Sequence, residues 1–228
     1  MVRTPVVVFV LAALLVCAHA AEASLMTDPN ALSAPYQGSK TFSSVLRKIE
    51  VSVQYAVYAP GQFGLSFSGQ DPTGGTKYIY AYQIFNTIYS SSGFVNRLSV
   101  GLALGSEQAS DIGYIDDGDG GTYTVRPSGT GSLPAYSFDT GTAGWNFYDP
   151  DIVYSTTENT SDVVFFASPF GPRPPESWGY GTVSGAGSKM LTLPGPMPEP
   201  TTLAILTAGF VLTLRRGRKN LTAAASRG

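Results

Sequence analysis

The chain has 228 residues, of which 43% are hydrophobic, so a single domain of ordinary size with a substantial core is expected. Its net charge of -2 is unevenly distributed, because all 16 acidic residues but only 8 of the 14 basic residues lie between Glu22 and Glu199. This middle region carries a net charge of -8, which repels phosphate backbones and argues against nucleic acid as a partner.

The N-terminus has the pattern of a secretory signal peptide, which we assign to residues 1–20. Arg3 supplies the positive start, and the apolar run VVVFVLAALLV is short for a permanent membrane span. Small residues stand at the cleavage positions, Ala18 and Ala20, so cleavage after Ala20 is expected, with Ala23 as the second choice. An uncleaved N-terminal anchor is the alternative.

Cleavage after Ala20 would remove the only cysteine, Cys17, and the only histidine, His19. The mature chain would then lack the residues of a Ser-His-Asp triad, a Cys-His pair, a histidine-ligated zinc site or a disulfide. The most common general base would also be missing. We therefore predict a protein that is not an enzyme and uses no cofactor, while hydrolysis by two carboxylates stays open as an alternative.

The middle of the chain is organised as a short lead-in and a series of strands. Residues 21–40 are rich in Ser, Ala and Pro, so an irregular segment is expected there. In IEVSVQYAVYA, which begins at Ile49, apolar and polar residues alternate as in a half-buried strand. Further strands are predicted at residues 77–86, 96–104, 122–125, 143–147, 152–154, 162–167, 180–183 and 190–193.

These short strands, separated by Gly, Pro, Ser and Asp, predict an all-β domain over residues 41–193. The expected architecture is an antiparallel β-sandwich with Greek-key or jelly-roll-like connections. No long stretch of the middle region has the periodicity of a helix.

Aromatic residues are frequent in the predicted strands, and YIYAY places Tyr78, Tyr80 and Tyr82 on one side. This alternation is what cross-strand packing in a core requires, so core packing is their predicted role. The alternative is that exposed rings stack on sugars, as in carbohydrate-binding sandwiches. The candidate sugar contacts under that alternative are Trp145, Trp178 and Tyr180.

A carbohydrate-cleaving role would need two carboxylates that face each other across the scissile bond. Carboxylates are spread over the second half of the domain at Asp139, Asp149, Asp151, Glu158, Asp162 and Glu176. Acids scattered through loops are usually solvated, so a catalytic pair is the less favoured hypothesis.

The segment IDDGDGGTY brings three further carboxylates close together, those of Asp116, Asp117 and Asp119. An EF-hand loop needs acids at its first, third and fifth positions and a glutamate at its twelfth. Ile115 would stand at the first of these positions, and no glutamate follows at the required distance. A solvated Asp-Gly turn is therefore predicted, with a calcium site as the alternative.

The C-terminal region, residues 194–228, has the order PGPMPEPTTLAILTAGFVLTLRRGRKN. Its 14 residues 201–214 carry no charge. As a helix they would span about 21 Å, which is short of the hydrocarbon layer of about 30 Å. A short transmembrane helix that anchors the chain only temporarily is expected. The positive-inside rule would place the basic residues that follow it in the cytoplasm, namely Arg215, Arg216, Arg218 and Lys219.

The Pro-Glu-Pro step before the apolar segment has a local explanation. Pro200 suits the first turn of a helix, and Glu199 places negative charge beside the positive end of the helix dipole. A favourable helix start does not account for the complete order, in which Pro198-Glu199-Pro200 is followed by an apolar segment, a basic cluster and the chain end.

That complete order resembles the PEP-CTERM sorting signal. The resemblance implies that the chain is a substrate of exosortase, a membrane-embedded processing enzyme of Gram-negative bacteria, with Pro198, Glu199 and Pro200 as the recognition motif. It also implies passage through the secretion translocon, a transient stay in the inner membrane, and delivery to the cell surface or to the extracellular polysaccharide matrix of a biofilm. Two features depart from the family pattern: Gly217 interrupts the basic run, and NLTAAASRG extends the tail.

The domain itself also resembles the all-β regions of some PEP-CTERM proteins, in the phrases SVQYAVYAPGQF, YAYQIFN and VVFFASPFGP. This likeness supports the fold and implies no activity. The expected function is that of an exported, non-catalytic surface or matrix protein with a structural or adhesive role. The alternative is a carbohydrate-binding or carbohydrate-cleaving β-sandwich module.

Overall fold

The computed structural model describes residues 24–44, 49–87, 93–102, 109–115, 125–128, 134–139, 141–148, 152–153, 159–185 and 188–197. Within these ranges no helix is long and apolar enough to cross a membrane. The predicted signal peptide and the predicted transmembrane helix, residues 1–20 and 201–214, lie outside them.

The described residues form eleven β-strands, one single-turn α-helix and one short 3-10 helix. The strands are β1 (Gln37–Ser44), β2 (Ile49–Tyr58), β3 (Tyr78–Asn86), β4 (Phe94–Gly101), β5 (Ser110–Tyr114), β6 (Tyr136–Asp139), β7 (Thr142–Asn146), β8 (Ile152–Val153), β9 (Val164–Ser168), β10 (Gly179–Gly185) and β11 (Ser188–Leu193). The α-helix, α1, is Phe63–Ser66, and the 3-10 helix is Pro175–Ser177.

The strands build two sheets in which every named pair is antiparallel. A five-stranded sheet has the order β1-β2-β3-β9-β5. A six-stranded sheet has the order β11-β10-β4-β7-β6, with β8 also paired to β4. The chain changes sheet after β3, β4, β5, β8 and β9, so neighbours within a sheet are often distant in sequence.

The two sheets pack face to face over one hydrophobic core. The alternation of side chains along each strand produces this core. Val51, Val53 and Val57 of β2 point inward and lie in the same cluster as inward residues of the other sheet such as Leu98. The largest fully buried side chains of this core are Trp145, Tyr80, Tyr82, Phe147, Phe166, Ile84 and Leu98. The predicted antiparallel β-sandwich is confirmed, and Greek-key or jelly-roll-like connectivity stays a prediction.

The outer face of the five-stranded sheet is also covered, which explains why all five residues of β9 are buried. A second apolar cluster forms there, with Ile79 and Phe165 from the sheet, Phe63 from α1 and Leu25 from the N-terminal segment. The N-terminal segment is tied down by two backbone hydrogen bonds, from Leu32 N to Val57 O (2.8 Å) and from Val57 N to Tyr36 O (3.1 Å).

A buried hydrogen bond also links the N-terminal segment to β2. The Tyr58 hydroxyl donates to Asp28 Oδ2 at 2.7 Å, and both residues are almost fully buried. Asp28 Oδ1 also accepts from the backbone N–H of Asn30 at 2.9 Å. These donors satisfy a carboxylate that has been removed from water, as a buried charge requires.

The strand predictions beginning at Ile49, Lys77 and Asn96 correspond to β2, β3 and β4. The boundaries of the domain differ from the predicted ones. β1 begins at Gln37, inside the segment expected to be irregular, because it pairs with β2 over its whole length. Residues 194–196 are buried and continue the domain past its predicted end at residue 193. β5 and β6 were not predicted.

Candidate functional site

The linear motifs found in the sequence fall outside the described ranges. This applies to the predicted cleavage positions, the carboxylates of the calcium alternative, the sorting motif and the basic cluster: Ala18, Ala20, Asp116, Asp117, Asp119, Pro198, Glu199, Pro200, Arg215, Arg216, Arg218 and Lys219.

Trp145 cannot contact a sugar, so this part of the carbohydrate hypothesis is wrong. Its side chain is fully buried on β7, with ring centroids 6.1 Å from Tyr82 and 6.4 Å from Phe166. Its indole Nε1 donates to the carbonyl oxygen of Gly113 at 2.9 Å. The ring belongs to the core because β7 lies in the interior of the six-stranded sheet and Trp145 faces the other sheet.

The other two sugar candidates are in different environments. Trp178 packs against the core cluster, with its ring edge-to-face with Tyr55 at 5.5 Å and Lys40 Nζ 5.6 Å from its centroid. Tyr180 is 63% exposed on β10, at the register position of Thr192. Among the three candidates, Tyr180 alone therefore presents a largely open ring.

The carboxylates considered for glycoside cleavage lie on separate elements where they are described. Asp139 is exposed on β6, Glu176 is exposed in the 3-10 helix, and Asp162 is 2% exposed, 3.7 Å from Arg126 Nε. The remaining ones, Asp149, Asp151 and Glu158, lie outside the described ranges. Within the part of the chain that the structure describes, no group of three His, Cys, Asp or Glu residues is placed to hold a metal ion.

One polar cluster resembles a nucleophile with its partners. Ser110 Oγ accepts from Lys77 Nζ at 2.8 Å and donates to Asp111 Oδ2 at 2.6 Å, while Lys77 and Asp111 form an ion pair at 3.1 Å. The hydrogen bond from Ser110, followed by Lys77, holds the pKa of Asp111 below its ordinary value. A carboxylate whose pKa is lowered is a weak base, so Asp111 is poorly suited to remove the proton of Ser110.

The same cluster has a structural role at the edge of a sheet. Asp111 adopts a φ of +50° at an irregularity in the pairing of β5 with β9. Aspartate tolerates this left-handed conformation better than most residues. An irregular edge that carries an ion pair discourages pairing with another strand, so we assign this cluster to edge protection.

The most organised polar feature lies just beyond the end of β11. Residues 171–173 and 194–197 run side by side, and we call this pair of segments the clasp. Arg173 N donates to Gly195 O at 3.1 Å, Met197 N donates to Gly171 O at 3.0 Å, and Pro172 and Pro196 form an antiparallel bridge. The segment 194–196 is buried in this arrangement.

Two core tyrosines of β3 support the clasp from inside. The Tyr82 hydroxyl donates to Pro194 O at 2.5 Å, and the Tyr80 hydroxyl donates to Phe170 O at 2.9 Å. Burial raises the pKa of both hydroxyls above the ordinary value near 10, so they stay protonated and keep donating.

Arg173 ties the two segments together with its side chain. Its Nε donates to Pro196 O at 2.9 Å, and its Nη1 donates to Ser177 O at 3.2 Å. Its own carbonyl accepts from Trp178 Nε1 at 3.1 Å. Partial burial lowers the pKa of this guanidinium, which is nevertheless charged at neutral pH because arginine starts above 12.

Sequence reasoning did not single out Arg173 or Tyr82 as functional. A signal exists in retrospect, since GPRPP and PGPMP are two similar Pro-Gly segments, one containing a lone arginine. Such segments are normally taken as loops, and nothing local predicts that they bind each other. Searched against known proteins, the chain matches no protein family, no curated protein and no solved structure.

Proposed function

We propose that this chain is an exported, non-catalytic protein of the cell surface or extracellular matrix, sorted through its C-terminal region by exosortase. The observation that carries the proposal is the order of three sequence elements in the C-terminal region. Pro198-Glu199-Pro200, an uncharged segment of 14 residues and a basic cluster follow one another without interruption. In the sequence this order begins at Pro198, five residues after β11 ends at Leu193.

The proposed route uses both ends of the chain. The N-terminal signal peptide directs the chain to the translocon and is removed by cleavage after Ala20. The apolar segment 201–214 then holds the exported domain at the inner membrane, with the basic cluster on the cytoplasmic side. Exosortase cuts near the Pro-Glu-Pro motif and releases the domain for its structural or adhesive role.

Replacing Glu199 by Ala tests this proposal. A charged hydrogen-bonding group contributes about 1.5 to 3 kcal/mol to recognition, so the rate of tail removal should fall at least about tenfold. The measurement is intact mass spectrometry of the protein recovered from its native host, which reports both processed ends. The variant should keep residues 201–228 and stay with the inner membrane fraction.

The matched control is Glu176→Ala, which removes an exposed carboxylate from the domain and should leave processing unchanged. The proposal fails when wild-type protein outside the cell still carries residues 215–228, or when Glu199→Ala is processed at the wild-type rate.

A carbohydrate-binding role is the second candidate, favoured by one observation. Tyr180 is 63% exposed on the outer face of the six-stranded sheet, at the register position of Thr192 on β11. A flat ring beside a hydroxyl can stack on a sugar ring and donate a hydrogen bond to it. The glycan-cleaving version of this alternative has no support beyond the scattered carboxylates already described.

The two candidates differ in what Tyr180→Ala should do. Loss of a stacked ring costs about 1 to 2 kcal/mol, so a glycan Kd should rise about 5- to 30-fold. Glycan-array binding of the purified domain is the measurement. Tyr136→Ala, a partly exposed tyrosine on β6, is the control and should not change binding. Absence of binding by the unmodified domain would remove this candidate and leave the structural role.

A further inference from the structure

The outer face of the six-stranded sheet presents open side chains, among them Tyr180 at 63% and Met190 at 59% exposure. We propose that this face binds a chain of acidic sugars: the Arg97 guanidinium pairs with a uronate carboxylate, and the Tyr180 ring stacks on another sugar of the same chain. The inference rests on the carbohydrate-binding candidate given above and deepens it, because it names the class of glycan.

Arg97 is held on the outer face by its place on β4. The next residue, Leu98, is buried in the core, so alternation turns Arg97 outward. A Cβ added at Gly144 on β7 would lie 3.4 Å from Arg97 Nη2 and 3.8 Å from its Nε. The guanidinium therefore lies over the backbone of β7, in room that a side chain at Gly144 would take up.

This guanidinium is not used by the fold. Two other described arginines are engaged, since Arg126 forms an ion pair with Asp162 and Arg173 donates to two carbonyls of the clasp region. Over the described part of the chain, Arg97 makes neither a hydrogen bond nor an ion pair. Even Asn146, its register partner on β7, has an amide oxygen that accepts no hydrogen bond. The fork of donors on Arg97 matches a carboxylate and is available to an external one.

Hydroxyl groups lie between the guanidinium and the exposed ring. Thr182 on β10 stands at the register position of Ser99 on β4, and both alternate with buried residues, so both face outward. Tyr180 lies beside Gly101, which is four residues from Arg97 on β4. The two ends of the surface are thus about 13 Å apart along the strand. Several sugars of one chain would lie over this stretch, with hydroxyls beneath them.

The local charge favours an acidic glycan over a neutral one. Among the described strands of this sheet, Asp139 on β6 carries the one carboxylate, at the register position of Thr142. It is two strands across and four residues along from Arg97, which is roughly 16 Å. Salt at physiological strength screens charges beyond about 8 Å. The potential beside Arg97 is therefore set by its own guanidinium, although residues 22–199 are negative as a whole.

Isothermal titration calorimetry of the full chain, purified in detergent and held at physiological ionic strength, tests the inference. The probes are tetramers of galacturonic acid and of mannuronic acid, each compared with the neutral tetramer of galactose or mannose. The wild-type chain should bind at least one uronate tetramer with a Kd at least about tenfold below that of its neutral counterpart, because a charge-assisted pair is gained.

Substitutions at the site separate its two contacts. Arg97→Ala should raise the Kd of the uronate tetramer at least about tenfold and leave that of the neutral tetramer unchanged. Arg97→Lys should recover part of the loss, since an ammonium keeps the charge without the fork. Gly144→Ala keeps every charge but crowds the guanidinium, so it should weaken uronate binding by a smaller factor. Tyr180→Ala should raise both Kd values by the same factor.

Lys189→Ala is the matched control, because it removes the same charge from an exposed residue of β11 that alternates with Met190 and so faces the other way. It should leave every Kd unchanged. Equal losses for Arg97→Ala and Lys189→Ala would overturn the inference, since net charge would then decide binding. Equal affinity for acidic and neutral tetramers would overturn it as well and leave the carbohydrate-binding candidate in place. Failure of all four tetramers to bind would remove both, without bearing on sorting by exosortase.

Discussion

Above about pH 10, the free energy of unfolding of this domain is expected to fall by about 4 kcal/mol for each further pH unit. The cause is a set of three tyrosines, Tyr58, Tyr80 and Tyr82, whose side chains are fully buried. Burial raises the pKa of all three, and for Tyr58 the hydrogen bond to Asp28 and the negative charge of that residue raise it further.

The sign follows from proton binding in the two states. In the unfolded chain a tyrosine loses its proton near pH 10, whereas in the folded chain these three keep theirs. Between the unfolded and folded pKa values the folded state binds more protons, so stability falls as pH rises. The stabilisation is complete below pH 10, and each tyrosine contributes about 1.4 kcal/mol per pH unit to the loss above it.

Denaturant unfolding at several pH values between 9 and 11.5 checks this expectation. Replacing Tyr80 by Phe should reduce the dependence of the free energy of unfolding on pH by about 1.4 kcal/mol per pH unit, since one proton difference disappears. Tyr180→Phe removes a largely exposed tyrosine and should leave the slope unchanged. A slope near zero for the wild-type protein above pH 10 would show that these hydroxyls are not held neutral by the fold.

Trp145→Ala is expected to lower the free energy of unfolding by about 3 to 5 kcal/mol, as truncation of a large core aromatic does. The ring contacts Tyr82 and Phe166, and its indole N–H satisfies the carbonyl of Gly113, so the substitution leaves both a cavity and an unpaired acceptor. The total free energy of unfolding of a native domain is about 5 to 15 kcal/mol, so the variant should be close to unfolding at 37 °C.

Urea unfolding of the purified domain gives the measurement, and Trp145→Phe separates the two contributions. The phenylalanine refills most of the cavity but leaves Gly113 O without its donor, so a loss of about 1 to 3 kcal/mol is expected. Tyr180→Ala should change stability by less than about 0.5 kcal/mol, because its ring is mostly exposed. Equal losses for Trp145→Ala and Tyr180→Ala would contradict the assignment of Trp145 to the core.

The strands with strong alternation could be predicted, and the weakly patterned ones could not. β2 carries apolar residues at every second position and is followed by the turn residue Pro60, whereas β3 is an almost continuous apolar and aromatic run. β1, in contrast, has the sequence QGSKTFSS with the single buried aromatic Phe42. It is a strand because β2 offers it a ladder of hydrogen bonds, and that partner cannot be read from the sequence of β1 itself.

The identity of the exposed ring was likewise decided by the fold. Trp145 and Tyr180 both lie in short alternating strands, and each was a candidate for sugar contact. Trp145 faces the five-stranded sheet and is fully buried, whereas Tyr180 faces outward and is 63% exposed. Alternation divides the residues of a strand into two faces, but only the stacking of the second sheet determines which face becomes the core.

The sequence by itself predicts the all-β class of the domain, which the structure confirms, and it predicts a signal peptide and a sorting tail at the two ends, which stay predictions. A signal peptide and a sorting tail are linear patterns of charge and hydropathy, so their order along the chain is enough to predict them. Tertiary structure alone decided that Arg173 and Tyr82 grip residues 194–197, more than twenty and more than one hundred positions away. Contacts between such distant residues depend on how the sheets bring them together, and no local pattern encodes that approach.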